Sequence, residues 1–183
     1  MNTLPTAVEN FVSSSQFMKT VLFESELFAN YQVHVGYKNI SENAVSGWIE
    51  LLEYLKANNI AFAVVTAHSK DELQEMLDQS GLNNYFNLEN SFFSEKRDDG
   101  VIDQYFNENG LNRKLLQYPQ LCNFAFAAAQ LGSLPPSCLA ICSNGFSKMS
   151  ISSTTMKTVF ANTAPKIGSF VVHHEQPLLK LTA

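Results

Sequence analysis

Residues 118–160 read YPQLCNFAFAAAQLGSLPPSCLAICSNGFSKMSISSTTMKTVF, and the order of elements in this stretch decides the fold. Pro119 to Leu131 spells a helix that is Ala-rich on its packing side. Gly132 and the pair Pro135-Pro136 break it. Cys138 to Cys142 is then a short apolar run that suits a fully buried strand. Phe146 to Thr154 reads as a further helix despite its serines and threonines, and Lys157 to Ala161 as another strand. Helix, strand, helix, strand joined by short loops is the pattern of a parallel sheet with helices packed on it.

The upstream sequence extends the same alternation. Thr20 to Glu24 is an apolar run bounded by polar residues, and Ile60 to Val65 is a second that ends in Thr66. Between them Val45, Ile49, Leu52 and Leu55 recur at helical spacing, with Ser41 or Ser46 as the N-cap. Asn58-Asn59 ends that helix, because asparagine tolerates the left-handed turn that a tight connection needs. Ser69 caps a helix to about Gln79, with Leu73, Met76 and Leu77 on one face and Gly81 just past its end. Asn90 to Ser94 reads as a third strand. Lys96 to Leu116 is polar, with Asp98-Asp99-Gly100 as a turn signal. Pro5 to Ser15 predicts a short leading helix, and Phe28 to Ser41 alternates like an extended flap. Val171-Val172 suits an edge strand. The fold expected is α/β, a Rossmann-like parallel sheet of about five strands with helices on both faces. Its strands all end on one edge, where Glu24, Glu26, Thr66, His68, Tyr118, Cys142 and Ser143 converge.

Composition limits the partners. The chain has 183 residues, 45% hydrophobic and 16% charged, with 14 phenylalanines and a formal net charge of −5. That is one ordinary globular domain over 1–183 with a substantial core. The acidic balance leaves no footprint for nucleic acid or for an anionic membrane, and no apolar run is long enough to span a bilayer. Residues 1–19 lack the basic start and apolar centre of a secretory leader, so a cytoplasmic location is expected. Cys122, Cys138 and Cys142 show no zinc-ribbon spacing and are read as buried thiols. His173-His174 reads as a solvated pair near the C-terminus.

Read in order, the tip Glu24-Ser25-Glu26-Leu27-Phe28, the hydroxyl Thr66, the pair Tyr118-Pro119 and the tip Cys142-Ser143 resemble the four motifs of the haloacid dehalogenase superfamily, in its phosphoglucomutase-like branch. The resemblance covers about residues 19 to 161. It implies that Glu24, Glu26, Thr66 and Tyr118 occupy the catalytic positions, and that Glu24, Glu26 and Ser143 occupy the metal-binding ones. In that family the first motif carries two aspartates followed by Gly-Thr, the third opens on a lysine and the fourth carries an acidic pair. Residues 27–44 then stand as a short flap where relatives insert a cap, and 95–117 as an insertion.

The family reaction needs an attacking aspartate, a second acid that moves the proton, a hydroxyl and a lysine on the phosphoryl oxygens, and magnesium. This chain keeps Thr66, carries glutamates at both aspartate positions, and has neither the lysine nor the second metal carboxylate. The exchanges imply lost phosphatase activity, no cofactor, and a binding, regulatory or assembly module that meets a protein partner or a second copy. The alternative is an altered hydrolase acting on a phosphorylated compound through Glu24 with magnesium. Under it Lys96, Arg113 or Lys114 replaces the missing cation, or Glu24, Glu26, His68 and Cys142 take zinc. Leu27-Phe28 is expected to narrow or fill the phosphate pocket.

Overall fold

The computed structural model describes residues 18–28, 41–143, 151, 154–162 and 171–173. Among the described residues six strands form one sheet: β1 (Thr20–Glu24), β2 (Ala61–Val65), β3 (Ser91–Phe92), β4 (Cys138–Cys142), β5 (Lys157–Asn162) and β6 (Val171–His173), in spatial order β3-β2-β1-β4-β5-β6. The first five are parallel, and β6 joins β5 antiparallel. The described helices are α1 (Ser41–Ala57), α2 (Lys70–Ser80), α3 (Asp99–Glu108) and α4 (Pro119–Gln130). The leading helix expected before Met18, most of the flap, most of the helix expected over 146–154 and His174 lie outside the described residues.

Alternation along β1 and β4 sorts the core into two layers. Val21, Phe23, Leu139 and Ile141 face Trp48, Leu51, Leu52 and Leu55 of α1 and Leu73, Met76 and Leu77 of α2. Leu22, Cys138, Ala140 and Cys142 face Ile102 and Phe106 of α3 and Leu121, Phe124 and Ala128 of α4. A sheet buried on both sides explains why β1 and β4 are apolar almost throughout, with every residue buried.

The element ends follow local chemistry. Ser69 accepts from the Glu72 amide while the Glu72 carboxylate accepts from the Ser69 amide, a reciprocal pair that starts α2. Gly81 ends it at φ 71°, and Asn59 takes φ 53° in the tight turn after α1. At the opposite end of the sheet the Thr20 and Ser133 hydroxyls bond one another, and the Tyr105 hydroxyl donates to Ser133 O at 2.8 Å.

Two local readings differ from the structure. The stretch read as a polar link contains α3, because Asp98 caps it by accepting from the Gly100 and Val101 amides and Ile102, Tyr105 and Phe106 bury its inner face. The third strand keeps only two residues, since Ser94 N–H turns back to His68 O.

Candidate functional site

Parallel pairing brings the carboxyl ends of β1, β2 and β4 to one edge of the sheet. Glu24 closes β1, Thr66 follows β2 and Ser143 follows β4. The Glu24 side chain is 5% exposed. Its Oε2 accepts from the Ser143 amide at 2.6 Å and from the Ser143 hydroxyl at 2.7 Å. These are charge-assisted bonds in a buried setting, the strong class of protein hydrogen bond.

Ser25 is the residue that the sequence reading passed over. Buried in the turn after β1, where its amide donates to Val65 O, it places its hydroxyl 2.8 Å from Thr66 Oγ1 and 3.1 Å from Glu26 Oε2. Thr66 Oγ1 also accepts from the His68 amide at 3.0 Å. The signal was positional: a small hydroxyl residue between two acids at a strand tip stands beside the neighbouring strand's tip, which is itself a hydroxyl.

An outer rim of charge adjoins these groups. His68 Nε2 lies 3.5 Å from Glu26 Oε1 and His68 Nδ1 lies 3.8 Å from Glu72 Oε2. The side chains of His68 and Glu26 are about two-fifths exposed, at 41% and 37%, so solvent screens the pair. The Ser69 amide, and then its hydroxyl, hold the Glu72 carboxyl below the usual range.

The other residues weighed for the site have these surroundings. Tyr118 precedes α4, and its ring is half-buried against the layer formed by α3 and α4. Lys96 Nζ donates to the carbonyls of Leu88, Glu89 and Ser91 and lies over the Phe92 and Phe93 rings, at 5.7 and 5.0 Å from their centroids. Arg113 bonds Asn107 and Asp103, both at 3.1 Å, and Lys114 is exposed. A zinc set of Glu24, Glu26, His68 and Cys142 is not assembled: among the described residues no group of three or more His, Cys, Asp or Glu suits a metal ion. The physical reason is depth, since Cys142 sits fully inside the apolar layer while Glu26 and His68 lie at the rim. Burial pushes the Cys138 thiol up to about 12 and raises that of Cys122, so neither is a ready nucleophile.

Leu27 and Phe28 also correct an expectation. They lie in helical backbone over 26–28, and both are buried at 1% exposure. That backbone directs the Phe28 ring into the layer under α1, against Phe23, Trp48 and Phe86, with centroids 6.2, 5.7 and 5.5 Å away. The ring therefore fills core and not the cleft at the strand tips.

Among the described residues no helix is long and apolar enough to cross a membrane. A family model described as haloacid dehalogenase-like hydrolase matches residues 7–118. No curated protein and no solved structure matches the chain. The family match ends before β4, so the position of Ser143 follows from the parallel register of β4 against β1.

Proposed function

The chain belongs to the haloacid dehalogenase-like hydrolase family, and from that premise we propose that its strand-tip cleft has lost phosphatase turnover and that the domain serves as a binding, regulatory or assembly module. The observation that carries this reading is the Glu24 carboxylate. It occupies the position that the resemblance gives to the nucleophile, yet it is buried and Oε2 is engaged by two donors of Ser143. An attacking oxygen must come within about 3–3.5 Å of phosphorus, and misplacement by about 1 Å costs a factor near 100. Electron density already committed to two hydrogen bonds lowers its nucleophilicity further.

Charge stabilisation points the same way. Tyr118 brings no positive charge to the position of the family lysine, and Lys96 is committed to three carbonyls. Each missing group of this kind costs roughly 100- to 1000-fold. One observation favours the altered hydrolase: Glu26 and His68, both part-exposed and 3.5 Å apart, form an acid–base pair beside the strand tips. A carboxylate–imidazole pair without a positioned nucleophile and a phosphate-holding cation supplies only one part of the reaction.

The module reading assigns a protein partner or a second copy as the ligand. The acidic balance opposes nucleic acid and anionic membranes. Three cysteines without disulfides suit a reducing compartment, and we place the protein in the cytoplasm. The test is a panel of phosphate esters assayed with and without magnesium, run on the wild-type chain and on Glu24→Gln. The module reading expects a background rate for both proteins. Ordinary turnover that Glu24→Gln removes would establish the hydrolase instead.

A further inference from the structure

The fold family implies a divalent cation at these strand tips, held by carboxylates from the ends of β1 and β4. The residues present do not fit one. Ser143 brings a hydroxyl and an amide in place of an anion, and both point their hydrogens at Glu24 Oε2, so that the β4 tip offers this carboxylate donors where a shared cation would need a second carboxylate. Magnesium also demands a near-ideal octahedron of hard oxygen ligands, whereas a buried oxygen that already accepts two hydrogen bonds has little capacity left for an ion.

We propose that Ser143 takes over the structural part of that cation, as a positioning residue that holds the Glu24 carboxylate with two hydrogen bonds and fastens the tip of β4 to the tip of β1. The strand register shows what it fastens. The β1–β4 ladder runs from Thr20 opposite Cys138 to Phe23 opposite Ile141 and stops, while the β1–β2 ladder continues to Glu24 opposite Val65. Past Phe23 the two central strands are therefore joined through the side chain of Glu24 and both donors of Ser143. At 5% and 7% exposure the pair is shielded from competing water. A hydrogen-bonded latch of this kind needs no ion, so the tip is closed at any magnesium level.

The inference is independent of turnover, and its readouts are melting and amide exchange, which separates its failure from failure of the module reading. The full-length wild-type chain should melt at the same temperature in magnesium chloride and in EDTA. Ser143→Ala removes the hydroxyl and keeps the amide; its melting point should fall by roughly 3–10 °C, the scale of a hydrogen bond to a charged group, and should stay indifferent to magnesium. Amide exchange at Ser143 in the unmodified chain reads the same bond without any substitution, and it should be slow in EDTA. A saturable rise of the wild-type melting point with magnesium that Glu24→Gln abolishes overturns the proposal. So does an unprotected Ser143 amide, or a Ser143→Ala chain that melts like the wild type.

Discussion

Replacing Phe28 with alanine separates two accounts of one position. The family motif has a small or hydroxyl residue there, so a phenylalanine could act as a plug in the cleft or as a part of the core. Its ring is 1% exposed and meets Phe23, Trp48 and Phe86 with centroids within 6.2 Å, the Trp48 contact being edge-on at 77°. Truncating a buried phenylalanine costs about 3–5 kcal/mol, through lost transfer energy and the cavity left behind. Aromatic pairs of this geometry add about 0.5–1.5 kcal/mol each beyond area burial, so the upper part of the range applies. For a domain of this size each kcal/mol shifts the melting point by about 2–4 °C, which places the expected fall at roughly 8–20 °C. The chain contains a single tryptophan, Trp48, and it touches the deleted ring, so its fluorescence reports both the cavity and the melt. A plug would behave in the opposite way: stability near wild type, an unchanged Trp48 spectrum and a newly opened cleft. A melting point lowered by less than about 2 °C, with the emission maximum unmoved, would falsify the core assignment.

Three further outcomes follow from the same structure. Lys96→Met keeps the stem over Phe92 and Phe93 but deletes the donor to Leu88, Glu89 and Ser91, and should cost about 1.5–3 kcal/mol in a urea titration, with no change in binding of phosphate esters; a loss of ester binding at unchanged stability would return Lys96 to the site. Ser69→Ala breaks the reciprocal start of α2 and should cost about 1 kcal/mol, visible as lowered amide protection over Lys70–Leu73, whereas Ser69→Asp should retain most of it. The folded Cys138 thiol titrates at about 12 against an ordinary 9.0, so the unfolded chain releases its proton first. Stability is then whole below pH 9.0 and declines as the pH rises toward 12, and a urea midpoint that stays level across that interval contradicts the burial argument.

Most of the sheet was legible because buried parallel strands carry an unmistakable apolar run between polar ends. The runs expected at 20–24, 60–66, 138–142 and 157–161 became strands with ends shifted by at most one residue. Helix α3 was hidden for the opposite reason. Its inner face is only Ile102, Tyr105 and Phe106, and Asp98-Asp99-Gly100, read as a turn, is the same chemistry that caps a helix. At the edge of the sheet, spacing gave the neighbourhood of Glu24, Thr66 and Ser143 but not their bonding. Which oxygen Ser143 donates to, and the way Ser25 bridges Thr66 and Glu26, depend on rotamers that no linear pattern encodes. Phe28 was misjudged because a motif alignment fixes a position and not a direction; helical backbone sends the side chain into the core.

The brevity of β3 bears on how copies of this protein can assemble. An edge strand with free main-chain groups is a template for a strand from another molecule. Here that edge offers two residues, and the Ser91 carbonyl is already taken by the Lys96 ammonium. A charged lysine in that place makes desolvation of the edge expensive for any incoming backbone. Growth of an open fibril by edge-to-edge addition needs two receptive edges on every subunit. With so short a strand and its Ser91 carbonyl occupied, edge-to-edge addition at β3 is disfavoured.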